Sequence, residues 1–392
     1  MKKILFVNAY SARNLGDYAI VLGMKHVIDA ITDDAEVTVL SSYHEDNQNI
    51  YSDELKSDNS LWNISSGSLI KKYAEGIILF IHACLFPKSE KYKIYHDSDL
   101  ICSVGGGYLY SSGRGPMGAG LLNMLFHIWL GKRLGKKVVC FPQSVGPINY
   151  KLDRLVISYV LSKVDLFVSR EKFTTTYLKE TIPGVAILEI PDVAFALEPG
   201  VPYFKREDFK EYDLVVGVSV LDYRFARRGN DLTIDRYLSK IAEFISLLSS
   251  ELKVYTIIFP QVNVQEGDSD LQVSNLLKGK LESDSEVFCF PSRLDPEKTM
   301  ATYGETDIFV GSRMHSTIFA MRAGCNTIGL AYQPKTFGTF ALLNNEDNVF
   351  DIDQFTVDSL KNRVIHSKDE ADVRGRIHRK MMDFKTSLSH II

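Results

Sequence analysis

Two residues suited to acid and anion chemistry, Arg313 and His315, stand two positions apart in the run VGSRMHSTIFAMRAG (Val310–Gly324). The apolar residues before them predict a buried strand ending at Gly311. The residues after them predict a helix over Ser316–Arg322 that Ser312 caps. Backbone NH groups and small hydroxyl side chains at such a helix start, here Gly311, Ser312 and Ser316, favour a bound anion. Imidazole titrates near working pH, so His315 is a candidate general acid. Past the next predicted strand, AYQPKTFG (Ala331–Gly338) brings Lys335 to the same rim. Arg313, His315 and Lys335 thus form a candidate anion pocket. The competing reading of His315 is a core histidine satisfied by backbone.

Other polar residues gather at predicted strand ends. The first strand runs into YSARNLGDYAI (Tyr10–Ile20), where Asn14 and Gly16 suit a tight turn and Asp17 suits a helix cap or a general base toward a hydroxyl. Gly105, Gly106 and Gly107 follow another strand, and their backbone can come close to a ligand. They do not make GxGxxG, so a dinucleotide is not indicated. In FPQSVGP (Phe141–Pro147), Gln143 and Ser144 stand where a turn contacts a ligand, and VSREKFTTTYL (Val168–Leu178) puts Arg170 just past a strand and at the start of a helix. An arginine there either pairs with Glu171 or clamps a carboxylate or phosphate.

These positions need a frame of strands and helices. Strands are expected at Ile4–Asn8, Glu36–Leu40, Leu100–Val104, Lys137–Phe141 (closed by Pro142) and Leu166–Ser169. Helices are expected at Asp17–Ala30, Gly120–Leu134 and Leu152–Lys163. After LEPGVPYF (Leu197–Phe204) a second series follows: strands Leu214–Val220, Val254–Phe259, Glu286–Phe290, Ile308–Gly311 and Thr327–Ala331, with a helix over Ile234–Ser249. Strand–helix alternation of this kind predicts α/β architecture, with two Rossmann-like domains of parallel sheet facing a cleft. Ligands in such sheets lie beyond the carboxyl ends of the strands. Residues 42–75 and 262–285 are polar and weakly patterned, and read as surface loops. The apolar run Gly76–Phe86 reads as a buried helix or as a segment resting on a membrane surface; it is too short to cross one. A basic helix, Asp369–Leu388, ends the pattern.

The chain has 392 residues, 45% hydrophobic and 24% charged, enough for two cores. Its net charge of −4 speaks against generic nucleic-acid binding. Cys84, Cys102, Cys140, Cys289 and Cys325 are widely spaced, so reduced thiols, a cytoplasmic location and no metal centre are expected. The opening MKKILFVNAY reads as a strand and not as a leader.

The ordered series NxGD (Asn14–Asp17), GGGYL (Gly105–Leu109), PQSVGP (Pro142–Pro147), SRE (Ser169–Glu171), PDVAF (Pro191–Phe195) and GSRMHSTIFAMRAG resembles the polysaccharide pyruvyl transferases over roughly residues 1–340. The resemblance implies a GT-B-like fold with phosphoenolpyruvate as donor substrate, no further cofactor and a sugar acceptor that is free, nucleotide-linked or lipid-linked. It implies an acceptor-side domain over residues 1–200 and a phosphoenolpyruvate-side domain over 201–365. Residues 366–392 would form a helix able to pack back on the first domain. His315, Arg313 and Asp17 would be catalytic. Arg170, Gly311, Ser312, Arg313, Ser316 and Lys335 would bind the donor. Asn14, Gly16, Gly105, Gly106, Gly107, Gln143 and Ser144 would line the acceptor side. A nucleotide-sugar glycosyltransferase (sialyltransferase-like) and a non-catalytic sugar- or anion-binding protein stay open as alternatives, as does peripheral contact with the inner face of a membrane.

Overall fold

A computed structural model describes residues 1–51, 55–222, 234–262, 269–281, 286–291, 295–365 and 370–391. The chain divides into two compact units. One comprises Met1–Ala12, Ile20–Ala196 and Lys380–Ile392; the other comprises Arg13–Ala19 and Leu197–Arg379. The segment carrying Asn14, Gly16 and Asp17 thus belongs with the second unit although it lies near the start of the chain.

In the first unit the strands are β1 (Lys2–Ala9), β2 (Ala35–Ser41), β3 (Lys56–Asn59), β4 (Leu100–Ser103), β5 (Gly106–Leu109), β6 (Lys137–Val145), β7 (Leu166–Ser169) and β8 (Ile187–Glu189). They form one sheet in the order β3-β2-β1-β4-β6-β7-β8, with β5 also on β6, and the pairings are parallel. The helices Leu69–Leu85, Ala119–Arg133 and Lys151–Leu161 supply much of the core that covers it, through Leu79, Phe126, Ile128, Ile157 and Val160.

In the second unit the strands are β9 (Leu214–Ser219), β10 (Val254–Ile258), β11 (Glu286–Cys289), β12 (Ile308–Gly311), β13 (Asn326–Ala331) and β14 (Val349–Asp351). They form a parallel sheet in the order β11-β10-β9-β12-β13-β14. Val216, Ile258, Val310 and Ile328 pack against Tyr237, Ile241 and Phe244 of the helix Ile234–Ser249. Central strands covered on both faces read as unbroken apolar runs, which is why they are plain in the sequence.

Several expectations change. Pro142 does not close β6: the strand continues to Val145, with a register irregularity between Cys140 and Gln143 that accommodates a residue lacking an NH donor. Gly106–Leu109 is a strand on that extension and not a bare turn. Residues 42–75 hold a short helix, β3 and the first turns of the helix Leu69–Leu85. Within 262–285 lies the helix Asp270–Leu281, while 263–268 and 282–285 fall outside the described residues.

The apolar run at Gly76–Phe86 is helical, but only one face is covered. Gly76, Leu79 and Ala83 are buried, whereas most of its isoleucines and phenylalanines are exposed. Of the expected final helix, Asp369 lies outside the described residues, and the helix runs Glu370–Ser389. Val373, Ile377, Met381, Phe384 and Leu388 form its buried stripe. Phe384 meets Phe141 edge to face at 5.3 Å, and Lys137 Nζ donates to the Ile391 carbonyl at 2.6 Å, both within the first unit.

Candidate active site

In the second unit, β12 ends at Gly311 and its parallel neighbour β13 ends at Ala331, in a register that pairs Gly311 with Gly329. The segments that follow, Ser312–His315 and Tyr332–Lys335, therefore leave the same edge of the sheet on adjacent strands. Each leads into a helix, Met314–Ala323 and Pro334–Leu342. Lys335 is half-buried in the first turn of the latter.

The helix start differs from the expected one. Arg313, not Ser312, occupies the cap position, without a side-chain cap. Ser312 is buried and shares a hydrogen bond with Tyr237 Oη, while its NH donates to the Ser219 carbonyl at 2.9 Å. Burial raises the phenol pKa of Tyr237 well above its ordinary value. Ser316 Oγ donates to the Arg313 carbonyl at 2.6 Å, fixing the first turn. Gly311 has no room for a side chain, since a Cβ there would lie 2.6 Å from Ser316 Oγ.

Arg313 is held by Asp270, a residue within the segment that reads as loop. Its Nη2 donates to Asp270 Oδ1 at 2.7 Å and its Nε reaches both carboxylate oxygens at 3.2 and 3.3 Å. Asp270 is fully buried and its Oδ2 also accepts from the NH groups of Gln261 and Val262 at 3.2 and 2.9 Å. Val262 in turn forms an antiparallel bridge with Asn14. Asn14 Oδ1 accepts from the Gly16 NH at 3.0 Å, so Asn14 takes the capping place expected of Asp17, which lies inside the first turn of the helix Leu15–Asp29. A Cβ on Gly16 would come within 2.1 Å of His315 Nδ1. The start of the first helix is thereby brought against His315, with Arg313, Asp270 and Val262 completing the frame.

The remaining candidates assemble in the first unit, at the ends of β4, β6 and β7. A Cβ on Gly105 would lie 2.6 Å from the Pro142 carbonyl oxygen, and one on Gly107 would lie 3.1 Å from Arg170 Nη2. Gly106 has φ 128°, which only glycine adopts readily. Arg170 is 2% exposed; its Nη1 donates to Asp192 Oδ2 at 2.6 Å and its Nε to Ser144 Oγ at 2.8 Å. Glu171 stands 3.7 Å from Arg170 Nε, and its Oε2 accepts from Ser144 Oγ at 2.8 Å. The buried side chain of Gln143 donates from Nε2 to the Val104 carbonyl at 3.4 Å, and its Oε1 has no partner among the described residues. Arg170 is thus a buried ion-pair centre of the first unit. Of the two readings of Arg170, the pairing with Glu171 is present, and Asp192 adds a second carboxylate.

Asp192 and Asp270 carry these networks, and the sequence reading gave neither a role. Asp192 lies in the PDVAF run and had a signal; Asp270 sits beside residues too polar to show a period. Among the described residues no group of three or more His, Cys, Asp or Glu side chains is placed to hold a metal ion. No helix among them is long and apolar enough to cross a membrane.

The polysaccharide pyruvyl transferase family model matches residues 14–334, which take in Asn14, the glycine run, Arg170 and the Arg313–His315 helix start. The chain belongs to the polysaccharide pyruvyl transferase family. As a pyruvyl transferase it is a transferase. No curated protein matches it in sequence.

Solved structures show the same fold at low identity. Sucrose-phosphate synthase from Thermosynechococcus elongatus is similar with a TM-score of 0.58 at 10% identity, covering 100% of this chain and 98% of that one. A glycosyltransferase from Rickettsia africae gives 0.58 at 12%, covering 100% and 98%. The UDP-GlcNAc 2-epimerase from Neisseria meningitidis, solved with UDP-GlcNAc bound, gives 0.56 at 13%, covering 98% and 99%. Two parallel-sheet α/β units of the GT-B kind are the architecture these likenesses share with the pyruvyl transferase.

Proposed function

We propose that this pyruvyl transferase moves the pyruvyl group of phosphoenolpyruvate onto two hydroxyls of one sugar, forming a cyclic ketal and releasing phosphate. The observation that carries this reading is the packing of His315 against Gly16 beside a buried Arg313–Asp270 pair, within the family match. Phosphoenolpyruvate has a carboxylate, a phosphate and a methylene carbon that must gain a proton. Protonation leaves the adjacent carbon electrophilic, one sugar hydroxyl adds to it, phosphate leaves, and the second hydroxyl closes the ring. His315 is assigned as the acid that delivers the proton and Asp17 as the base that accepts one from a hydroxyl. Arg313, Lys335 and the NH groups at the start of the helix Met314–Ala323 are assigned to the anionic groups of the donor. Arg170, already paired with Asp192 and Glu171, is assigned to positioning the Gly105–Gly107 segment. The acceptor is a free, nucleotide-linked or lipid-linked sugar, and no cofactor is needed.

Thermal unfolding with phosphoenolpyruvate, UDP, CMP or GDP tests the donor. A ligand at about 100 times its dissociation constant stabilises the native state by about 2.7 kcal/mol. Stabilisation by phosphoenolpyruvate and not by the nucleotides, together with phosphate release that requires an added sugar, is expected. Stabilisation by UDP alone would replace this reading with nucleotide-sugar transfer.

A further inference from the structure

One apolar cavity is lined by none of the residues assigned to catalysis. It is a groove of about 370 Å³ in the first unit, between the helices Leu69–Leu85, Ala119–Arg133 and Lys151–Leu161. Phe126 and Trp129 line its floor, Tyr73 and Phe80 one wall, Val156 and Tyr159 the other, and none of its lining residues is charged. The outer face of the first helix extends the groove. Ile77, Ile78, Phe80, Ile81, Leu85 and Phe86 each leave between 49% and 66% of their surface exposed. On the third helix, Leu152, Leu155 and Tyr159 are also exposed, at the spacing of one helical face. Single exposed apolar side chains are ordinary, but a continuous field of them on two helices beside an open groove marks an interaction surface.

Charge identifies the partner. On the helix Leu69–Leu85 and just after it the chain carries three lysines (Lys71, Lys72 and Lys88) against one glutamate, Glu75, in a protein whose net charge is −4. Lys151 and Arg154 add exposed positive charge to the third helix. Apolar side chains set among lysines match an interface that is greasy within and anionic at its surface. The helix Leu69–Leu85 is too short to span a bilayer, at about 25 Å, but suits lying in its plane. Its inner face is anchored for this: the Trp62 indole donates to the Lys72 carbonyl at 3.0 Å, and Tyr73 Oη donates to the Met117 carbonyl at 3.0 Å.

We infer that this face docks on the surface of a bilayer containing anionic lipid, with the groove receiving the acyl chains nearest the protein. The inference does not depend on the pyruvyl-transfer reading. The test is flotation of the purified full chain with vesicles of phosphatidylcholine alone, or of phosphatidylcholine and phosphatidylglycerol in equal parts, with light scattering in parallel. The protein is expected to float with the phosphatidylglycerol vesicles and to be released by salt. Ile78→Gln with Ile81→Gln should lower the partition coefficient by about tenfold or more. Lys88→Gln with Arg154→Gln should weaken binding to the anionic vesicles, and Leu276→Gln, an exposed leucine of the second unit, should change nothing. Leu155→Gln repeats the apolar test on a separate helix, and thermal midpoints verify folding of each variant. Failure to float with phosphatidylglycerol vesicles would overturn the inference. So would full binding by the Ile78/Ile81 variant, or a dimer that this variant dissociates, which would assign the face to a second copy of the chain.

Discussion

Replacing Gly16 by alanine sets two effects of opposite sign against each other. Gly16 lies in the first turn of the helix Leu15–Asp29. Alanine is favoured over glycine in a helix by up to about 1 kcal/mol, so on backbone grounds alone Gly16→Ala stabilises. The new methyl, however, would fall 2.1, 2.5 and 2.7 Å from Nδ1, Cγ and Cε1 of His315, where ordinary contact begins near 3.4 Å. The ring or the helix start must therefore yield by about 1.3 Å, the difference between 3.4 and 2.1 Å. A reacting group displaced by about 1 Å typically loses about 10² in rate. Gly16→Ala is thus expected to lower kcat/KM for phosphate release from phosphoenolpyruvate by about 10² or more, with no gain in thermal stability. Turnover and unfolding are measured on the same preparations. In a His315→Ala background those three contacts are gone, and Gly16→Ala should then cost far less stability and activity than in the parent. A Gly16→Ala enzyme with kcat/KM within about threefold of the parent would refute the assignment of His315 as an acid held in place by this contact.

Other perturbations test other parts of the argument. Asp270→Asn removes the charge that holds Arg313 inside the protein, where breaking one side of a buried pair costs about 3–5 kcal/mol; urea unfolding should show a loss of that order, and turnover should fall with it. Gly279→Ala, in the helix Asp270–Leu281 with nothing within 4 Å of the new methyl, should raise stability by up to about 1 kcal/mol and leave kcat/KM unchanged. His127 is buried between Tyr95 Oη at 2.5 Å and Ser60 Oγ at 2.8 Å, and burial holds its pKa down to about 3. It stays neutral in the folded chain but gains a proton in the unfolded chain below about pH 6.5, so its contribution is full above pH 6.5 and is lost as pH falls toward 3. Between pH 7.5 and 5 that loss is about 2 kcal/mol. Urea unfolding of the parent and of His127→Gln should differ in pH slope by that amount, and equal slopes would place the proton elsewhere.

The parallel strands were legible because burial on both faces makes them apolar throughout. Leu166–Ser169 and Ile308–Gly311 appear at their expected limits, and the strand-end motifs sit where α/β topology puts them. Misread features had local signals that tertiary contacts override. Proline at 142 looks like a stop, yet β6 continues past it at an irregularity in the register. Ser312 looks like a cap, but its hydroxyl is committed to Tyr237, which is far away in sequence. Asp270 looks like loop because the residues before it are polar, and only the fold reveals that its carboxylate meets Arg313. The Gly76–Phe86 run is helical as expected, with one face buried and the other exposed. Apolar composition says that a helix avoids water, but not whether protein or lipid covers it.

The two arginines show why a charged residue at a strand end does not by itself define an anion site. Both follow parallel strands, and both have aspartate partners. Arg170 is 2% exposed and lies near two carboxylates, Asp192 and Glu171, that accept from it or stand beside it. Its local charge is outweighed before any ligand arrives, and its Nη2 is the atom that a side chain at Gly107 would strike. The arrangement serves to hold a glycine segment at close range, and conversion to lysine would lose the forked geometry that spans Asp192 and Ser144. The Arg313 side chain retains 15% exposure and meets the fully buried carboxylate of Asp270, through an ion pair that directs it at a helix start where backbone NH groups also gather. Removing Asp270 should therefore weaken the hold on Arg313, whereas removing Asp192 should leave Glu171 to balance Arg170 and should chiefly loosen the glycine segment. Burial, not the identity of the residue, separates the two: Arg170 is closed inside the scaffold of the first unit, whereas Arg313 keeps part of its side chain exposed at a helix start.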